Sequence, residues 1–201
     1  MPSLIEEIDG RGTVSDEVLT GGLADGERLA GVELVGCTLR DASWAGAILA
    51  GVRLEGCVVE RVDLSRVRLP DSVLDGCTFT GCKAMATSWS MLREPMLSPD
   101  PTTWVDCQLS MGSFSGLDLT GGRFERCVLT DADFDGARLT DVVVDDCTLA
   151  GARFVRADLS GADLRGARDY VIDVREATVT GLTVDQVGAL GLLAPFGVVV
   201  E

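Results

Sequence analysis

Cysteine is the residue whose spacing in this sequence looks most like prepared chemistry. Cys37, Cys57 and Cys77 are evenly spaced, Cys107, Cys127 and Cys147 repeat the same interval, and Cys82 stands beside them. Thiols so placed could bridge, hold a soft metal or act as nucleophiles, and each of those roles needs helpers. The chain has no histidine, which removes the commonest general base and metal ligand. Seven is also an odd number for a disulfide scaffold. The carboxylates Asp145 and Asp146 are adjacent, but nothing in their sequence surroundings would desolvate either one. Glycines recur as Leu-x-Gly corners, with no Gly-rich loop ahead of a helix to cradle phosphate. No catalytic, cofactor-binding or metal-ligating residue is assigned, no cofactor is expected, and the chain reads as no enzyme.

Composition narrows the partners. Acids outnumber bases 32 to 17, a net charge of −15, which disfavours direct nucleic-acid and anionic-membrane binding. No stretch approaches the ~20 apolar residues of a membrane span. Glu6 and Glu7 stand where a secretory signal carries base ahead of a long apolar run. A cytoplasmic protein is expected.

What positions the cysteines is a repeat of five. From Leu34 to Trp89, and again from Trp104 to Leu164, nearly every fifth residue is large and apolar; the beat then fades through Asp169, Val174, Val179 and Val184. Of these 29 central positions, 27 are large apolar residues, Ala84 and Asp169 being the exceptions. The residue two before each is small in nearly every unit, as in Ala132-Asp133-Phe134-Asp135-Gly136 and Ala157-Asp158-Leu159-Ser160-Gly161. A period of five suits neither an α-helix nor a long alternating strand. It suits a coil that turns a corner every five residues, with the central residue and the one two before it pointing inward. Four such sides make one coil, whose length along the chain is the interval from Cys37 to Cys57. The fold predicted is all-β: a right-handed quadrilateral parallel β-helix of about seven coils, some 34 Å long at the usual strand spacing of about 4.8 Å. The cysteines become inward ladders of reduced core thiols.

The same ladder locates an irregularity. Cys77 to Cys107 is one coil plus ten residues, and removing residues 92–101, which contain Pro95, Pro99 and Pro101, brings both cysteine ladders into one column. That segment is expected to leave the coil as a loop, and loops in excess on a regular scaffold often carry function. With it removed, Trp104 follows Trp89 by five residues, and Ala84 falls on the side of Phe114, Phe134 and Phe154, one coil before them. The coil is taken as residues 26–182, with 1–25 as an N-terminal cap or flap. Thr183-Val184-Asp185-Gln186 reads as a capping box opening a short helix from Val184 to about Ala194 within a C-terminal segment, 183–201. Val187, Leu190, Leu193, Phe196, Val198 and Val200 make that end apolar, which suits a two-fold homodimer.

Charges balance over residues 34–90, while 131–176 hold 11 acids against six arginines. The acids Asp131, Asp133, Asp135, Asp141, Asp145 and Asp146 are dense enough to present a negative surface to a basic groove. With the loop residues Arg93, Glu94, Met96, Leu97 and Asp100 they form the candidate partner-binding set.

The A-D-L-x-x units resemble those of the pentapeptide-repeat family over roughly residues 29–184. Within it, the chain is similar to small stand-alone members that protect DNA gyrase and topoisomerase IV from quinolones or from toxins such as albicidin. Size, a single repeat domain, acidic charge, a mid-chain loop and Arg168-Asp169-Tyr170-Val171-Ile172-Asp173 before a short helix are shared. The resemblance implies dimers joined at their C-terminal ends, rods approximating B-form DNA, and binding at the topoisomerase's DNA-binding saddle through the loop and the acidic coils. A non-catalytic scaffold for another partner is the alternative. Two features depart from the pattern: the balanced charge of residues 34–90, and one loop where some resistance proteins have two.

Overall fold

In the computed structural model, which describes residues 3–93 and 100–199, the beat of five becomes a parallel β-solenoid with four sides. Each side is a column of inward central residues spaced one coil apart. The first column holds Val14, Leu34, Leu54 and Leu74, in register in a four-stranded parallel sheet. The second runs Leu19, Leu39, Val59, Phe79, Trp104, Phe124 and Val144 through a seven-stranded sheet. The third stacks Trp44, Leu64, Ala84, Leu109, Leu129 and Leu149, and the fourth Leu29, Leu49, Leu69, Trp89, Phe114, Phe134 and Phe154. Most backbone bonds run between coils, with turn bonds such as Ala47 N to Trp44 O at 2.9 Å closing corners within them, so an extended side of three residues is satisfied by its neighbours above and below, as in Thr38 N to Glu17 O at 2.8 Å.

Two rules of residue choice follow from this geometry. The corner residue two after most central positions has positive φ, which costs glycine nothing and aspartate little. Gly36, Gly51, Gly136 and Gly161 stand at such corners, and so do Asp16, Asp41, Asp71, Asp106, Asp131, Asp141 and Asp146, with φ between 50° and 57° for the aspartates. The residue before the central position is often aspartate because its carboxylate accepts the N–H two residues on. Asp133 does this to Asp135, Asp158 to Ser160 and Asp163 to Arg165, each at 3.0 Å. The second letter of the A-D-L motif is thus a turn-forming acceptor.

The position two before the centre faces a carbonyl of the preceding coil, so it favours a small side chain that can donate. Ser72 Oγ donates to Leu49 O at 2.9 Å and Thr87 Oγ1 to Leu64 O at 2.7 Å. Cysteine plays the same part: Cys57 Sγ donates to Leu34 O at 3.1 Å, Cys77 to Leu54 O and Cys82 to Val59 O, both at 3.3 Å. All seven thiols are free and buried. Burial raises the Cys37 thiol. A hydrogen bond with Cys127 and burial, against an opposing bond from Cys82, push Cys107 up to about 12. A bond from Cys77 instead draws the Cys57 thiol down, so enclosure in the core is what shields that thiol. A thiol reagent at pH 8 should label none of the seven in the native protein and all seven in guanidinium. Rapid native labelling would show that the coils open locally.

The columns correct the sequence register. Phe79 pairs with Trp104 and Cys82 lies in the column of Cys107, Cys127 and Cys147, while Cys37, Cys57 and Cys77 occupy the neighbouring one. The insertion is therefore five residues net, not ten. Arg93 still sits above Val73, bonding to Ser72 O at 2.8 Å, and Asp100 O accepts from Gly76 N at 3.1 Å. Between them lie residues 94–99, six where a regular coil has one. Trp89, not Ala84, precedes Phe114, and the stacked rings are 5.8 Å apart.

The ends also differ from expectation. Strands Thr13–Ser15 and Val18–Leu19 pair with the next coil, so the coil starts inside the segment assigned to a cap. A short helix, α1 (Leu4–Ile8), with Ser3 and Glu6 as a capping box, precedes it and buries Leu4 and Ile8. At the other end Thr183 still bonds to the Ala162 and Leu164 rung, so it cannot open a helix. The helix, α2 (Gly188–Leu193), begins four residues later than expected, and Asp185 rather than Thr183 receives its first N–H, from Gly188 at 2.7 Å.

Candidate interaction surface

The six candidate acids lie in about one coil, and the structure spreads them around it. Asp131, Asp141 and Asp146 occupy three different corners and are exposed, while Asp133, Asp135 and Asp145 are half-buried along the sides. They form a girdle, not a face. Asp135 pairs with Arg153, and Asp145 lies 4.0 Å from Arg123. Among the described residues, Asp131, Asp133, Asp141 and Asp146 form no ion pair.

Corner stacking explains which acids keep their charge unpaired. Arg61 stands one coil above Asp41 and Arg126 one coil above Asp106, each pair 2.7 Å apart. Those guanidinium hydrogen bonds hold both carboxyls below their usual range. Above Asp131 and Asp141 the next corners are Gly151 and Gly161, and each carboxylate overlies the glycine where a side chain would project. The surface negative charge is concentrated where glycine follows aspartate in the same corner. The sequence carries this signal as an aspartate at one corner and a glycine at the equivalent corner of the next coil. The earlier coils, with Arg40, Arg53, Arg61, Arg66 and Arg68, remain balanced.

Of the loop candidates, Arg93 and Asp100 are exposed at the two margins of the insertion, and Asp100 N is fixed by Asp75 Oδ1 at 2.8 Å. Glu94, Met96 and Leu97 lie outside the described residues. Sequence reasoning missed Met85, Met91 and Met111, all exposed. They border the outer surface carrying Ser88, Ser90, Ser113 and Ser115, so the coils beside the insertion bear an uncharged strip on an acidic protein. Reading the outward positions of 84–91 and 108–117, which contain no charge, would have found it.

At the C-terminal end α2 docks through its glycines. A Cβ at Gly188 would overlap the Tyr170 hydroxyl, and one at Gly191 the Tyr170 carbonyl. The helix thus covers the last coil with its small face. Val187, Leu190, Leu193, Phe196 and Val198 remain exposed, Val187 at 61%; Val200 lies outside the described residues. None of the described helices is long and apolar enough to cross a membrane, and no cluster of metal-ligating side chains occurs among the described residues.

Known proteins with this geometry bear on its origin. No curated protein matches the chain. Among solved structures, HetL, a pentapeptide repeat protein involved in heterocyst differentiation regulation from the cyanobacterium Nostoc sp. strain PCC 7120, is 20% identical. Its match covers 90% of this chain and 92% of HetL at a TM-score of 0.66. Full-length QnrB1, a plasmid-mediated fluoroquinolone resistance protein, is 17% identical over 92% of this chain and all of its own, with a TM-score of 0.48. Profiles described as pentapeptide repeats match residues 28–66 and 47–83 in eight copies, and 124–168 in nine. Those segments jointly span half of the sequence and supply the columns and corners described above, and by them the chain belongs to the pentapeptide-repeat proteins.

Proposed function

We propose that this protein is a non-catalytic rod that occupies the basic, DNA-binding groove of a type II topoisomerase, DNA gyrase or topoisomerase IV, and guards it against poisons, as a self-resistance factor would. The observation that carries the reading is the girdle of acids, with Asp131, Asp133, Asp141 and Asp146 free of ion pairs among the described residues, on a chain of net charge −15. Acids at three corners of about one coil present negative charge on several sides, as a duplex does, and a basic groove would accept it by charge complementarity. The partner class is the one implied by the A-D-L repeats, the acidic charge and the mid-chain insertion. A supercoiling assay with and without a quinolone tests it: micromolar protein should preserve supercoiling against the drug. No change in either activity or protection would sink the reading.

The girdle allows a cleaner test because its corner acids have a structural substitute. Replacing Asp131, Asp141 and Asp146 together by glycine removes three charges at positions whose φ glycine adopts freely. Stability should stay within about 0.5 kcal/mol per site, while topoisomerase binding and its salt dependence weaken. Binding that survives unchanged would mean that these acids serve the corners alone.

The exposed C-terminal patch suits a second copy related by a two-fold axis, since an isologous contact buries the same apolar residues on both chains. Light scattering should give a dimer for the native chain and a monomer for Leu190→Asp with Leu193→Asp. A native monomer would leave the patch to another role.

The uncharged strip of Met85, Met91 and Met111 favours a second reading, a scaffold for a different protein partner. Substitution of these methionines by glutamate that abolishes complex formation while the acid-to-glycine variant still binds would favour it.

A further inference from the structure

The helix α2 covers the last coil with little to hold it there. Within it Gly188, which has no side chain, is the buried residue, while Leu190 and Leu193 are exposed and Leu192 is partly buried against the core. Among the described residues one backbone hydrogen bond joins helix and coil, from Ile172 N to Gly191 O at 3.2 Å. The other fastenings are side chains. The Asp185 carboxylate accepts from Gly188 N at 2.7 Å and, on the coil, from Arg168 Nη1 at 3.0 Å and Gly166 N at 3.4 Å. Arg175 lies over the Phe196 ring at 4.9 Å. A helix of six residues has no stability of its own in water. Beneath it Tyr170 is buried at 3% exposure, and its hydroxyl has no hydrogen-bond partner among the described residues. That hydroxyl abuts Gly188, where a Cβ would stand 2.0 Å from it. Closing α2 therefore strips water from a phenol and returns no bond.

We propose that α2 is a releasable cap, which leaves the last coil while the inner coils stay folded, with the orphaned Tyr170 hydroxyl favouring release and the Asp185 clasp opposing it. Release returns the hydroxyl to water and frees the ordered helix, and it gives up little apolar burial, the conditions for local opening well below the cost of global unfolding. The closed form presents Leu190, Leu193 and Phe196 together; the open form presents Tyr170 in their place. A contact made at this end thus selects one of two surfaces. The device stands whether or not the rod enters a topoisomerase groove, since the acidic girdle takes no part in it.

The chain has one tyrosine, so acetylation by N-acetylimidazole reads the open form, and hydrogen exchange of the Ile172 and α2 amides reads it independently. Both are followed at a concentration where light scattering gives a monomer, because a second copy on the apolar patch would hold α2 closed by mass action. Native Tyr170 should react slowly while the amides of the inner coils stay protected. Tyr170→Phe should slow α2 exchange about tenfold, since the closed form no longer orphans a donor. Asp185→Asn should speed exchange and acetylation by a similar factor. Gly191→Ala sets a Cβ 2.1 Å from the Tyr170 carbonyl, although alanine is the better helix former. It should make Tyr170 react as in the unfolded chain with the inner coils still protected. Exchange of α2 only together with the inner coils, no slowing in Tyr170→Phe, a native Tyr170 as reactive as in Gly191→Ala, or one unreactive in both would each overturn the proposal.

Discussion

Trp104→Ala should destabilise the rod by about 3–5 kcal/mol, the usual range for deleting a buried aromatic, and should divide unfolding into two transitions. Trp104 lies at the centre of a continuous run of rings crossing the interior. It stacks on Phe124 with centroids 4.5 Å apart and on Phe79 at 6.0 Å, and meets Trp89 and Phe114 edge to face at 6.2 and 6.1 Å. The second and fourth columns face each other across the core, so each ring touches rings of its own column and of the opposite one. Such pairs add about 0.5–1.5 kcal/mol each beyond the area they bury. A solenoid is held by nearest-neighbour interfaces, and this site joins the coils on either side of the insertion. A lesion there should uncouple the two halves, visible as a biphasic denaturant curve. Trp104→Phe supplies the contrast: it keeps a stacked ring and removes an N–H that has no acceptor, so it should cost far less. Equal losses for the two variants, or a single unshifted transition for Trp104→Ala, would contradict this account of the core.

Gly21→Ala should release the N-terminal helix. Gly21 has no positive φ, so the substitution introduces no backbone strain of its own, but its Cβ would overlap the backbone of Ser3 and Leu4. Backbone cannot step aside as a side chain can. The contact is tight because α1 is locked onto this corner. Leu4 N donates to Gly22 O at 2.8 Å, and the Glu7 carboxylate accepts from the Thr20 and Gly21 N–H groups, both at 2.9 Å. Losing the helix exposes Leu4 and Ile8, now 0% and 2% exposed, at about 1.5–3 kcal/mol each. It also uncovers the open edge of the first coil, an invitation to edge-to-edge association. Limited proteolysis at Arg11 should become fast and the melting temperature should fall. Gly12→Ala, where a Cβ meets nothing within 4 Å, should change neither.

The inward alternation, the four sides and the buried thiols could all be read from the spacing, because every fifth side chain in an extended coil must face the same way. The face on which the aromatics meet could not. An insertion of five residues and one of ten preserve the beat equally, and cysteine fits the inward small position of any column, so matching Cys77 to Cys107 selected the wrong register. Arg93 above Val73 and Asp100 above Asp75 decide it, through hydrogen bonds between coils that no local pattern records.

The ends and the surface show the same division. The coil begins at Thr13, and the beat runs back to it, since Leu29, Leu19 and Val14 stand on the five-residue steps before Leu34 and only Ala24 interrupts them. The helix α2 starts late because Thr183 is already bonded in the ladder. The acids were correctly read as outward, yet their roles as corner formers, turn acceptors or unpaired charges depend on what stands one coil above. Period and composition are local properties, and they were enough to specify a thiol-lined solenoid with an acidic surface. Which thiol stacks on which and which carboxylate keeps its charge were settled only in the packed fold, since each depends on neighbours a whole coil away along the chain.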